Sequence, residues 1–195
     1  MERLAAMIER ETEAGIIEAC RSGDRAAFQE LFQAHKDRVY SIALHFSGDA
    51  AAASDITQQV FLKLFTIIGQ FRYQSEFTTW LYRIVANACI DEQRKRRRFV
   101  PVSHTVEVKK MAATGSQEER YRRREIADSV QQAIAELKPK LRLPILLKYV
   151  EDLSYEEIAE VLGCSKGTVA SRLNRGHKAL ARKLGHLRGE LASGE

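Results

Sequence analysis

The chain is 195 residues long, enough for one large domain or two small ones. Hydrophobic residues make up 45% and only 3 residues are proline, so the chain has the material for a core and favours helix over loops. The net charge of +5 is too small to imply nucleic acid by itself, and no stretch stays apolar for the ~20 residues a membrane helix needs.

The N-terminus, MERLAAMIERETEAG, alternates charged and apolar residues and lacks the apolar centre of a signal peptide. A cytoplasmic protein is expected. Cys20, Cys89 and Cys164 are odd in number and far apart, with no CxxC and no His at ligand spacing. They read as small buried hydrophobes, with no metal site.

Strand signals are almost absent and helical periodicity is nearly everywhere, so the expected fold is all-α. Ile16 to about Phe46 reads as helix broken at Ser22-Gly23-Asp24, with Phe28, Leu31, Phe32, His35 and Val39 at helical spacing. After the turn Ser47-Gly48-Asp49, a helix runs from about Ala50 to Ile68. Ile56, Val60, Leu64 and Ile67 form its apolar side, and Phe28, Phe32, Phe61 and Phe65 are expected in the core. Its outer face carries Asp55, Gln58, Gln59, Leu62 and Lys63.

Phe71 to Thr78 is a loop rich in aromatics, and Thr79 to about Arg97 is the next helix. Leu81, Ile84, Val85 and Ala88 of that helix point to the core. Arg83, Asn87, Asp91 and Arg94 share its polar face. Phe71, Tyr73, Phe77 and Trp80 lie just before or at its start. Aromatics beside a basic face supply what single-stranded nucleic acid needs, stacking surfaces for bases and cations for the backbone. Between Phe99 and Ser116 the periodicity dissolves around Pro101, Thr114, Gly115 and Ser116, which marks a flexible linker.

Helices resume at about Gln117 and continue to Leu187. Pro139 suits a first helical turn, whereas Pro144 predicts a late start or a bend. Ser154-Tyr155-Glu156-Glu157 is a capping box, Gly163 suits a left-handed helix end, and Ser165 can cap a second helix. Val169, Leu173 and Leu180 lie on the buried side of that second helix. A short helix, a turn with Gly and a second helix form a helix-turn-helix, whose second helix enters the major groove. Its outward side carries Lys166, Thr168, Ser171, Arg172 and Arg175. Arg there can pair bidentately with guanine, and Ser or Thr can reach bases or phosphates.

Four segments in order resemble the bacterial sigma factors of the extracytoplasmic-function (ECF) type. They are Gly23-Asp24 with Ala27-Phe28 and Leu31; Asp55-Ile56-Thr57-Gln58-Gln59-Val60-Phe61; Phe77 and Trp80-Leu81-Tyr82-Arg83-Ile84 with Asn87, Asp91 and the arginine run; and Leu137 through Arg142 to Ser154-Tyr155-Glu156-Glu157-Ile158-Ala159, ending in Gly167-Thr168-Val169 and Ser171-Arg172-Leu173. The resemblance covers about 16–98 and 133–184.

It implies that Asp55, Gln58, Gln59, Leu62 and Lys63 dock on core RNA polymerase. Phe71, Tyr73, Phe77, Trp80, Arg83, Asn87, Asp91 and Arg94 would read and open the −10 promoter element, and the second helix of the helix-turn-helix would read the −35 element. It also implies an anti-sigma factor as a partner. The implied domains are 1–98, a linker over 99–118, and 119–195; the first dozen residues extend beyond the resemblance. Gln59 and Ser54 stand where the family usually carries acidic residues. No phosphate loop or nucleophile motif is present, so neither an enzyme nor a bound cofactor is expected. The competing reading is a free-standing helix-turn-helix transcription regulator.

Overall fold

The computed structural model describes residues 2–99 and 117–187. Among these residues every regular element is a helix. The N-terminal lobe consists of α1 (Glu2–Arg21), α2 (Arg25–Ser47), α3 (Ala50–Ile67) and α4 (Phe77–Phe99). The C-terminal lobe consists of α5 (Gln117–Ala135), α6 (Pro139–Tyr149), α7 (Tyr155–Leu162) and α8 (Lys166–Lys183). Short 3₁₀ turns follow α3 at Ile68–Gln70 and α8 at Gly185–Leu187. Residues 100–116 of the expected linker lie outside the described residues.

The breaks between the first helices have local causes. Gly23 takes a φ of 91°, and Asp24 Oδ1 then accepts from the amides of Ala26 (2.8 Å) and Ala27 (3.2 Å) to start α2. Gly48, with a φ of 68°, ends α2, and Asp49 accepts from the Ala52 amide at 2.8 Å to start α3. Ile17, Leu31, Val39, Ile42, Ile56, Val60, Leu64 and Leu81 fill the N-terminal core. Leu143, Leu146, Leu147, Ile158, Val169 and Leu173 fill the C-terminal one, and the two cores are continuous.

Of the late start or bend expected at Pro144, the late start is absent: α6 starts at Pro139 and runs through Pro144 to Tyr149, with the six consecutive residues Arg142–Leu147 buried. Two expectations are corrected. Helix α4 begins at Phe77, two residues before the expected start. Phe65 is 56% exposed and lies outside the core. Cys20 and Cys89 are buried as expected, and burial pushes the Cys89 thiol up to about 12, which leaves it inert.

Candidate DNA and polymerase surfaces

The helix-turn-helix is built by caps. Ser154 Oγ accepts from the Glu157 amide at 3.2 Å, and Glu157 Oε2 accepts from the Ser154 amide at 2.8 Å. These bonds hold the Glu157 carboxyl below its ordinary range. Gly163 ends α7 with a φ of 58°, and Ser165 Oγ accepts from the Thr168 amide at 3.2 Å to open α8. Val169 and Leu173 point inward, and Gly176 lets α8 approach α6 closely.

The expected recognition face divides in two. Lys166, Ser171 and Arg175 are exposed. Lys166 is paired with Glu156 of α7, and Arg175 Nε donates to the Ser171 carbonyl at 3.3 Å. Thr168 and Arg172 are half-buried. The Thr168 hydroxyl shares a 2.9 Å hydrogen bond with Ser165 inside the cap, and Arg172 Nη1 lies 3.7 Å from Cys164 Sγ.

In the N-terminal lobe the aromatic residues form two layers. Phe71 and Phe77 are each 3% exposed and present no ring face to a ligand, which corrects their expected role as stacking surfaces. They are the floor beneath the outer rings. Phe71 packs on Tyr73 at 4.8 Å, on Trp80 at 5.2 Å and on Phe77 at 5.5 Å. Tyr73 is half exposed and Trp80 half-buried. Tyr73 has a φ of 55°, a left-handed backbone that costs a non-glycine residue about 1–2 kcal/mol and needs outside support.

Along α4, Arg83, Asn87, Asp91 and Arg94 are all exposed, as their spacing predicts. Asp91 and Arg94 pair at 3.2 Å. Arg96 reaches Asp49 at 3.3 Å, which fixes α4 against the α2–α3 turn. The Asp49 carboxyl is held below its ordinary range, first by the Ala52 amide and then by Arg96.

The outer face of α3 is where the sequence places it. Asp55, Gln58, Leu62 and Lys63 are exposed and Gln59 is half-buried. Beside it the structure adds a feature that periodicity misses. An open apolar groove of about 570 Å³ runs between α2 and α3, lined by Phe28, Phe32, Tyr40, Phe61, Leu62 and Phe65 among others. Phe28 and Phe65 meet edge to face at 5.0 Å, so the groove wall is rigid aromatic surface.

The lobes are docked. Helix α4 lies on α7, and the last turn of α2 lies on α5 and α6. The Tyr82 hydroxyl donates to Glu151, and Arg83 Nη2 donates to the Glu160 carbonyl at 2.8 Å. Gln131 Nε2 donates to the His45 carbonyl at 3.1 Å. Arg142 is 5% exposed, and its guanidinium donates to the Phe46 carbonyl at 2.5 Å, to the Leu137 carbonyl at 2.8 Å and to that of Ala135. The same group lies 4.9 Å from the centre of the Phe46 ring. Burial raises both the Tyr82 hydroxyl and the Glu151 carboxyl above their ordinary ranges. Among the described residues no cluster of His, Cys, Asp or Glu could hold a metal ion.

Residues 31–99 match the family model of sigma-70 region 2, and residues 127–180 match that of sigma-70 region 4. The chain is 33% identical to the ECF RNA polymerase sigma factor SigW of Bacillus subtilis over 86% of its own length and 94% of that protein. It is 31% identical to the ECF RNA polymerase sigma-E factor of Escherichia coli K12, over 91% of its length and 97% of that protein. Among solved structures, CnrH in complex with the cytosolic domain of CnrY matches with a TM-score of 0.65 at 24% identity, over 88% of this chain and 96% of that one. The sigma factor RpoE of Bartonella quintana, in complex with the anti-sigma factor NepR, also matches with a TM-score of 0.65, at 22% identity over 80% of this chain and 96% of that one. At these identities the two structures bear on the fold alone.

Proposed function

The chain belongs to the ECF sigma factors, and from that premise we propose that it binds core RNA polymerase and directs it to specific promoters. The observation that carries this reading is that three separate surfaces lie on one chain. They are a capped helix-turn-helix, an aromatic shelf beside a charged helix face, and an apolar groove beside the outer face of α3. A free-standing regulator needs only the first, and the family match covers both lobes.

In this reading Lys166, Thr168, Ser171, Arg172 and Arg175 read the −35 element as duplex. Tyr73 and Trp80, standing on Phe71 and Phe77, receive a base drawn out of the −10 element, while Arg83, Asn87, Asp91 and Arg94 follow its backbone. Unpairing costs a few kcal/mol, which binding energy supplies without a nucleotide cofactor. Asp55, Gln58, Gln59, Leu62 and Lys63 dock on the polymerase. The neighbouring groove takes an apolar side chain from it, and Phe65 and Phe28 are the rigid anchors.

The docked lobes are the resting form of the factor. A compact chain of 195 residues is about 40 Å across. The −10 and −35 elements lie about 25 base pairs, or about 85 Å of duplex, apart. One docked body reaches only one of them, so polymerase must separate the lobes. Arg83 also has to leave the Glu160 carbonyl to serve DNA. A protein of the anti-sigma class, the class of the NepR bound to one structural relative, would act by keeping the lobes together. The factor works in the cytoplasm beside DNA and polymerase. No helix among the described residues is long and apolar enough to cross a membrane.

The test is run-off transcription from a pool of host genomic fragments with purified core polymerase. Discrete transcripts that require both components are expected. Salt-sensitive DNA binding by the protein alone, with no transcripts, would overturn the reading in favour of a free-standing regulator.

A further inference from the structure

Helix α1 belongs to none of the three surfaces, yet one face of it touches the loop that carries the aromatic shelf. Glu13, Ile17 and Arg21 recur every four residues and so share that face, with Ala14 beside it. Ile17 is buried in the core and anchors the helix. From this anchor α1 reaches the shelf along two routes.

The first route is direct. The Tyr73 hydroxyl donates to the Ala14 carbonyl at 3.5 Å, and the Arg21 guanidinium lies 5.8 Å from the centre of the Tyr73 ring. Arg21 is itself steadied by Glu18 at 2.6 Å. The second route passes beneath. Glu13 Oε1 meets His35 Nε2 at 3.2 Å, and the buried His35 ring packs on Phe77 at 5.4 Å. Phe77 in turn packs on Phe71 at 5.5 Å and on Trp80 at 6.1 Å.

Tyr73 holds a left-handed backbone, which its own residue type disfavours. Nothing within the loop 71–76 is a glycine that would make that turn easy. The support comes from α1, roughly sixty positions away in sequence. A loop held in this way is set before DNA arrives. An unsupported loop would have to be ordered during opening, at an entropic cost on the step.

We propose that the second half of α1, through Glu13 and Arg21, is a positioning element for promoter opening that presets Tyr73 and, through the ring floor, Trp80. The inference rests on the sigma-factor reading of the shelf. Glu13 and Arg21 are positioning residues and touch no base.

The experiment compares two promoters with the complete holoenzyme. One is ordinary duplex, and the other carries a mismatched bubble at the −10 element, so that it is already open. The variants are Arg21→Ala, Tyr73→Phe and the two combined. Arg21 and Tyr73 are both exposed, so these changes leave the folded lobe in place. Opening is read as permanganate reactivity of promoter thymines over time.

Each single variant is expected to open the duplex about two- to fivefold more slowly, and the pair about tenfold, from the modest size of an exposed cation–π contact and a neutral hydrogen bond. On the bubble promoter Arg21→Ala should match the unaltered factor, and Arg21→Lys should restore the duplex rate. Equal losses from Arg21→Ala on both promoters would overturn the proposal, since Arg21 would then matter for binding or folding only. Unchanged duplex rates would overturn it too. If the unaltered holoenzyme opens neither promoter, it is the sigma-factor reading that falls.

Discussion

Inside the helix-turn-helix the polar ties are short in sequence, whereas across the seam between the lobes they are long. Ser154 and Glu157 are three residues apart, as are Ser165 and Thr168. The ties from Arg142 to Phe46, Gln131 to His45, Arg83 to Glu160 and Tyr82 to Glu151 span 96, 86, 77 and 69 positions. Caps form as soon as the chain turns and survive if the lobes part. In the proposed open form the seam ties break while the caps remain. Two of them are donations from the C-terminal lobe to carbonyls in the last turn of α2, where the helix dipole concentrates negative charge. Under the proposed function polymerase reverses this closure, and hydrogen bonds to carbonyls can be exchanged for water as the lobes part.

Arg142 tests the comparison most severely, because it belongs to both sides. It closes the α5–α6 turn through the Ala135 and Leu137 carbonyls and crosses the seam to Phe46. Arg142→Met leaves these acceptors unpaired. The expected loss is about 3 kcal/mol, or a melting temperature lower by about 6–12 °C. A loss below about 1 kcal/mol in thermal unfolding would mean that water replaces the guanidinium freely and that the seam is held by its apolar contacts.

Gly176 lies on α8, where it faces α6 within the C-terminal lobe. A Cβ there would sit 3.1 Å from Ile145 Cγ1 and 3.2 Å from Cδ1. Gly176→Val forces the buried Ile145 to move and should cost about 2 kcal/mol of C-terminal lobe stability. Affinity for a −35 duplex should fall with it, while an interlobe distance measured by fluorescence transfer stays unchanged. A shift in that distance would show that the lobe interior and the seam are coupled rather than independent.

The same division explains what the sequence reveals. The caps at Ser154, Gly163 and Ser165 are legible because each signal lies within a few residues of its partner. The outer face of α3 is legible because periodicity alone turns Asp55, Gln58, Leu62 and Lys63 outward. Phe65 is misread as core, since a phenylalanine at helical spacing looks the same whether the neighbouring helix covers it or leaves a groove. The order of the aromatic layers is illegible for a related reason. Nothing near Phe71, Tyr73, Phe77 and Trp80 says which rings face inward, because His35 and α1 decide it from outside the loop. Tyr82 and Glu151 carry no signal at all until the lobes are docked.

That last pair yields the smallest expected effect and the finest test of a reversible seam. Burial raises the Glu151 carboxyl, while the Tyr82 hydroxyl, Arg38 and His45 draw it back down; burial prevails. In the separated form the carboxyl is solvated and returns toward its ordinary value. The closed form therefore binds the proton more tightly, and closure strengthens as pH falls through the interval between the two values. Fluorescence transfer between dyes on the two lobes should report a closed fraction that rises as pH falls toward the ordinary carboxylate range. Glu151→Gln keeps an acceptor for Tyr82 and removes both the titration and the buried charge. It should be more closed at neutral pH and largely indifferent to acid. An unaltered protein that opens as pH falls would reverse the sign and overturn the assignment of the response to Glu151.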